Sequence, residues 1–306
     1  MNTHIKEGLG DRIFNGVTLI LILLIIVVVA YPLYFVLVAS MSSPTAVNSG
    51  KILLYPEGFS LIGYQNILEN TKLWSGYANT IFYTVAGTFL GVCCTIMAGY
   101  AFSRTDLPGR NLLMGLFVFT MYFSGGLIPL YLVVKQLHLI NTRGIIVLLG
   151  SISVYNIIIA RSFFTSSIPK ELQEAAFVDG CTNQRFFVSI VVPISKPIIA
   201  VITLYCAISY WNSFFNAMIY LNDRNKFPLQ LVLREILLSF QVMQQQAASG
   251  GGVDAETIAE MNTLVEVVKY GVIVVAAVPV LFIYPFIQKY FVKGVMIGSM
   301  IGAVKG

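Results

Sequence analysis

Charge is what this sequence has least of: 11% of its 306 residues are Asp, Glu, Lys or Arg, against 57% hydrophobic. A water-soluble domain carries roughly 25% charged residues, so the deficit excludes an ordinary globular chain and makes lipid the main solvent. Histidine is nearly missing too. His4 and His138 stand apart from any Asp, Glu or Cys at ligand spacing, and no metal site is expected. The four cysteines form neither a disulfide framework nor a CxxC pair: Cys93 and Cys94 adjoin in one apolar run, Cys206 lies in another and Cys181 in a polar stretch. The phosphate-cradling pattern GxxxxGK(S/T) is absent, since Gly50-Lys51 is followed by Ile52, so this chain carries no such nucleotide loop. Its apolar runs also lack the mid-membrane Asp, Glu or His that an intramembrane enzyme or a proton-coupled transporter needs. The net charge of +5 calls for no nucleic acid, because basic residues beside anionic headgroups account for it.

What is present is a set of apolar runs long enough to cross a bilayer, at about 13–41, 77–103, 111–134, 144–163, 195–220 and 269–291. They predict an all-α membrane protein with six transmembrane helices. The first run is longer than the h-region of a cleaved signal, about 7–15 residues, and reads as an uncleaved span. Another charge-free run, near 236–253, turns polar at Gln241, Gln244, Gln245 and Gln246 and is rejected as a span. Alternating the connections puts roughly eleven of the 19 Lys and Arg residues on the side of the amino terminus, and the richer side stays cytoplasmic. Both termini are expected inside, with residues 1–12 a short cytoplasmic segment and 13–306 the membrane domain.

Between spans 2 and 3, Arg104-Thr105-Asp106-Leu107-Pro108-Gly109-Arg110 reads as a Pro-Gly turn flanked by charges. Between spans 4 and 5, the stretch of about 168–190 is too polar to cross and too periodic for a loose loop, so it predicts cytoplasmic helices. Pro169 suits the first turn of one helix with Ser166 or Ser167 near its cap, Gly180 ends it, and Thr182 caps the next. Pro193 and Pro197 mark the bend into span 5. On the first of these helices Leu172, Ala175, Ala176 and Asp179 share one side, and Glu171, Glu174 and Val178 another. Paired alanines leave a shallow surface for another backbone, and Glu174 offers a carboxylate to a basic partner. On the outer side a long connection, about 221–268, joins an amphipathic stretch through Gly250-Gly251-Gly252 to an acidic, helix-prone segment.

Glu174-Ala175-Ala176, then Gly180, Ile190 and Pro193 at their spacing, resemble the EAA motif of binding-protein-dependent ABC importer permeases; Val192 stands where the pattern has Leu. Arg161-Ser162-Phe163-Phe164, the segment Ile168 to Leu172, Phe186 to Pro197, and Tyr210-Trp211-Asn212-Ser213-Phe214 are similar to the carbohydrate branch, the maltose-type permeases and their oligosaccharide-transporting, lipoprotein-associated relatives. The resemblance implies the type I importer permease fold in a bacterial inner membrane, and a pairing with a second related permease. It implies two ATPase subunits, carrying the ATP and Mg that this chain does not hold, and an extracytoplasmic solute-binding lipoprotein that delivers a sugar. Glu174, Ala175, Ala176 and Gly180 would be the docking core on the ATPase, with Asp179 in support. A permease for a peptide or amino acid is the alternative the motif alone leaves open.

A sugar route needs hydrogen-bonding groups and aromatic faces, because unpaired hydroxyls in hydrocarbon cost several kcal/mol. Span 5 offers Tyr210, Trp211, Asn212 and Phe214, and span 4 offers Asn156 beside Tyr155. Tyr122, Phe123 and Ser124 in span 3 have the same chemistry. An outer aromatic belt is the competing place for Trp211, and the favoured one for Trp74 and Tyr220.

Overall fold

A computed structural model describes residues 8–249 and 264–282; most of the expected N-terminal segment, the glycine-rich middle of the long outer loop and the end of the sixth expected span lie outside the described residues. Among the described residues there is no strand. The helices are α1 (Leu9–Ser40), α2 (Pro44–Asn48), α3 (Ile62–Leu68), α4 (Thr71–Ser103), α5 (Arg110–Tyr122), α6 (Leu127–Gln136), α7 (Arg143–Ser151), α8 (Val154–Ser167), α9 (Lys170–Val178), α10 (Asn183–Phe186), α11 (Val192–Ile194), α12 (Lys196–Trp211), α13 (Phe215–Tyr220) and α14 (Leu229–Ser249). A last helix, α15, covers Leu264–Phe282. A single widened turn, Phe187–Val191, joins α10 to α11.

Three helices, α1, α4 and α15, are each long and apolar enough to cross a membrane, and three bent pairs bring the number of spans to as many as six. The pairs are α5 with α6 (112°), α7 with α8 (47°), and the 183–194 segment with α12 (79°). The sequence predicts continuous spans at 111–134 and 144–163; each is broken, and the residues at each break explain it. Between α5 and α6 lie Gly125 and Gly126, the latter at φ +87°, a backbone that residues with a Cβ avoid. Between α7 and α8, Ile152 and Ser153 are extended and the Ser153 hydroxyl accepts from Asn156 N at 3.4 Å, starting a new helix. The run 195–220 is interrupted at Asn212–Phe214, between α12 and α13. Pro193 and Pro197 fall in the first turns of α11 and α12, where a missing N–H breaks no helical bond.

The chain divides into two units, residues 1–70 with 236–277, and 71–235 with 278–306. In the first, Val38, Ala39, Ala46 and Ile52 form a small core edged by Phe35, Val47 and Tyr270. The opposed helices α3 and α15 approach closely through Gly63, against Val267, and Gly271, against Ile67. From Leu19 to Val29 the apolar side chains of α1 are exposed.

In the second unit α4 is the axis. Its buried residues recur at Leu73, Gly76, Thr80, Tyr83, Gly87, Gly91, Thr95, Gly99 and Phe102, the three-and-four spacing of one helix face. Trp74, Ile81, Val85, Phe89 and Met97 are exposed on the other. Four glycines lie on the buried face, as membrane helices require for close approach in the absence of a hydrophobic drive. A Cβ on Gly87 would lie 2.2 Å from the Tyr210 ring of α12, one on Gly91 2.9 Å from the Ser151 carbonyl, and one on Gly99 2.6 Å from Cβ of Ala160 on α8.

Candidate functional site

The EAA residues fall on α9 and the turn after it. The helix begins after Pro169, and Ser166 belongs to the last turn of α8, its hydroxyl bonded to Phe163 O, rather than to a cap. At its other end Cys181 N donates to Ala176 O (2.9 Å) and Gly180 N to Phe177 O (3.0 Å), with Gly180 at φ +75°. That pair of bonds is a Schellman termination, which places glycine at the left-handed position. Thr182 then caps α10, its hydroxyl accepting from Arg185 N.

The two alanines part company. Ala176 is buried in a core built from Ile96 of α4, Ala160 and Phe164 of α8, Phe186 of α10, and Ile198 and Ile202 of α12. Ala175 is exposed, together with Glu174, Asp179 and Val178, the last at 88%. The sequence reading placed Val178 away from Ala175. Since i, i+3 and i+4 residues neighbour one another, the burial of Ala176 turns Glu174, Ala175 and Val178 outward as one face, with Asp179 at its edge. The result is a short helix glued to the bundle by one side and presenting a carboxylate, a small residue and a bare valine on the other.

Arg104, which the sequence marked only as a turn charge, meets this helix. Its Nε donates to Asp106 Oδ1 at 2.8 Å and Nη2 pairs with the other carboxylate oxygen. Nη1 donates to Asn183 Oδ1 at 2.6 Å and to the Tyr100 hydroxyl at 3.2 Å. The guanidinium lies 5.9 Å from the Tyr100 ring centroid and 5.8 Å from that of Phe177 on α9. Its hydrogen bonds hold the Asp106 carboxyl below the ordinary carboxylate range, so the pair stays ionised throughout neutral pH. Arg110 donates to Arg104 O and closes the turn, where Gly109 adopts φ +71°. No local sequence signal exposes the Asn183 contact, because the partners lie 79 positions apart.

The residues expected along a sugar route separate into two groups. Asn156, Tyr210 and Trp211 are buried within this chain. The Asn156 amide donates to Cys206 Sγ (3.8 Å), and Tyr210 donates to Val147 O (2.5 Å) with its ring between Gly87 and Gly150. Asn212 and Phe214 are exposed at the α12–α13 break; Asn212 Nδ2 donates to Ile208 O, and the Arg234 guanidinium stands 5.2 Å from the Phe214 ring centroid. Tyr122, Phe123 and Tyr155 are exposed as well. Trp74 is 60% exposed, as a belt residue is, but Tyr220 is 1% exposed and stacked on Tyr131. The belt expectation for Tyr220 is therefore corrected: the α13 end folds inward against α6.

Sequence reasoning also missed a polar knot at the opposite end of α4. Asn79 Nδ2 donates to Asn225 O (2.7 Å) and Phe227 O (3.1 Å) while its Oδ1 accepts from Arg143; Tyr83 donates to Lys226 O; and Thr80 Oγ1 accepts from Leu229 N. Asn141, at φ +59°, accepts from Asn222 N and Asp223 N. This knot fixes the entry to α14, the start of the long connection.

Residues 87–297 match the model of the family described as binding-protein-dependent transport system inner membrane component. The polygalacturonan/rhamnogalacturonan transport system permease protein YtcP of Bacillus subtilis is 39% identical, over 97% of this chain and 100% of that protein. The arabinooligosaccharides transport system permease protein AraQ of Halalkalibacterium halodurans is 24% identical over 90% and 92%. A crystal structure of a bacterial ABC transporter involved in the import of the acidic polysaccharide alginate contains a chain with TM-score 0.78 and 33% identity, covering 93% of this chain and 99% of that one. A helix face held out from a glycine-packed bundle is thus found in a multi-pass membrane chain that belongs to the binding-protein-dependent transport system inner membrane component family, a transport permease rather than an enzyme.

Proposed function

We propose that this chain is a permease subunit of an ATP-binding-cassette importer for an oligosaccharide, working in the bacterial inner membrane with a second related permease, two ATPase subunits and an extracytoplasmic solute-binding lipoprotein. ATP and Mg belong to the ATPases. The observation that carries this reading is α9: the docking face of Glu174, Ala175 and Asp179 is exposed, while Ala176 and the Gly180 turn lock the helix to the core. A face of that kind accepts another protein's backbone beside Ala175 and a basic side chain at Glu174. The mechanism is a two-state one. Closure of the ATPases draws the α9 helices of the two permeases together, and the bundle passes from inward-open to outward-open. Nucleotide drives that change by binding the closed state more tightly.

Sugar as cargo is supported by relatives whose names specify glycans and by the amide and aromatic side chains exposed at the Asn212–Phe214 break. Asn212 and Phe214 are proposed to face the route directly, with Asn156, Tyr210 and Trp211 holding the break in shape. The test is Glu174→Lys in the reconstituted complex. It is expected to abolish the stimulation of ATP hydrolysis by loaded binding protein while the four membrane-associated subunits still co-purify. Normal transport-linked hydrolysis in that variant would remove α9 from the docking role.

A further inference from the structure

We propose that Arg104 is a positioning residue: a latch that ties the α9–α10 element to the cytoplasmic end of α4, so that a pull on α9 turns the core helix with it. The inference rests on the reading of α9 as the ATPase-docking helix and asks how a force applied there reaches the bundle.

Most of what holds α9 and α10 is apolar. Ala176, Phe186 and their neighbours sit in the core with α4, α8 and α12, but such packing is non-directional and does not by itself set which way α4 turns when α9 is pulled. The N-terminal turn of α9 packs Leu172 on that core but leaves a gap toward the end of α4. A cleft of about 80 Å³ bounded by Tyr100, Arg104, Phe164, Lys170 and Gln173 lies between them. Arg104 supplies the direction that the apolar contacts lack. One guanidinium bonds the α4–α5 turn through Asp106, the last turn of α4 through the Tyr100 hydroxyl, and the first residue of α10 through Asn183 Oδ1, while the Phe177 ring of α9 covers it. Its side chain is 14% exposed, although its acceptors Asp106 and Asn183 lie at the surface, so what the latch supplies is direction rather than burial.

The chemistry requires arginine. Two edges of a planar fork are used at once, one toward Asp106 and the other toward Asn183, and a lysine ammonium cannot hold both directions in one plane. The position matters equally. Arg104 directly follows α4, the axis whose glycine face packs on α7, α8 and α12, so rotation passed to α4 reaches the whole second unit.

The experiment uses the complete transporter in proteoliposomes, with its binding protein loaded with oligogalacturonate. Two readouts are taken: the ratio of stimulated to unstimulated ATP hydrolysis, and the distance between spin labels at Met97 on α4 and Gln184 on α10, both exposed positions, without nucleotide and after ATP–vanadate trapping. In the parent protein the Met97–Gln184 distance is expected to be the same in both states. In R104M and N183A the trapped-state distance is expected to shift and broaden, and the stimulation ratio to fall at least fivefold. N183D keeps an acceptor for the guanidinium and is expected to restore both readouts, while N183A assembles in parent-like yield, a combination that a loss of mere stability would not allow. R104K is expected to behave like R104M; full coupling with lysine would overturn the two-direction role. Should R104M fail to assemble, N183A carries the test alone, because it leaves the Arg104–Asp106 pair intact. Parent-like distance and stimulation in N183A overturn the latch. If Glu174→Lys uncouples while N183A does not, only the latch fails; if neither does, the docking reading fails with it; and if the parent complex responds to no glycan-loaded binding protein, it is the sugar assignment that fails.

Discussion

At Tyr210 the chain's own packing accounts for a polar side chain inside a span: the ring fills the space left by Gly87 and Gly150, and the hydroxyl donates to Val147 O. Asn212, two positions on, has an exposed side chain at a helix break, and its spare carbonyl oxygen is available to a sugar hydroxyl. Asn212→Leu is therefore expected to lower uptake several-fold with assembly intact, measured as the initial rate of labelled oligosaccharide entry into vesicles; unchanged kinetics would take Asn212 off the route. Asn79 makes a different case. Its amide satisfies two backbone carbonyls, and its oxygen meets the Arg143 guanidinium. Asn79→Leu leaves the buried Phe227 carbonyl without its bond, where an unmet polar group costs about 1–3 kcal/mol, and frees the exposed Asn225 and Arg143 from the knot. A marked fall in the thermal unfolding midpoint in detergent is expected, with no selective change in affinity for sugar.

Among the elements, α4 shows what patterning can and cannot disclose. Its buried stripe recurs every three or four positions and mixes glycines and threonines with Leu73, Tyr83, Ile96 and Phe102, so spacing marks a face but residue type alone does not say which face is buried. The Gly180 and Thr182 punctuation was legible because turn chemistry is local. The breaks within the third and fourth crossings were not. Hydropathy averages over about 19 residues, and such a window cannot distinguish a straight helix from two short ones meeting at 112° or 47°. The glycines of α4 give this level its prediction. Gly87→Leu puts side-chain atoms where the Tyr210 ring now lies, and overpacking of that kind costs about 1–3 kcal/mol or rearranges the site. Loss of folded permease is expected on fluorescence size-exclusion chromatography. Gly87→Leu combined with Tyr210→Ala, which clears the space, is expected to recover part of it; failure of the double variant to recover any would argue that α4 and α12 do not meet there.

For the molecule as a whole, the docking face of α9 and the latch of Arg104 matter only if both lie on the side where ATP is made available. The expected sidedness rests on the distribution of Lys and Arg, a bias of roughly eleven to eight. Within the second unit, α4 runs from the knot at Asn79, Thr80 and Tyr83 to the latch at Arg104, so the two polar assemblies sit at opposite ends of one 33-residue helix. At 1.5 Å per residue the stretch from Asn79 to Arg104 spans roughly 37 Å, more than the hydrocarbon core of about 30 Å. The two ends must then face different compartments. With Cys181 replaced by Ser, Val178→Cys is expected to react with a membrane-impermeant maleimide only in inside-out vesicles, and Asp223→Cys, beside the Asn141 cap, only in intact spheroplasts. Labelling of Val178→Cys from outside would place the α9 face beyond the reach of any cytoplasmic ATPase, and the knot, not the latch, would then be the end of α4 that meets the cytoplasm.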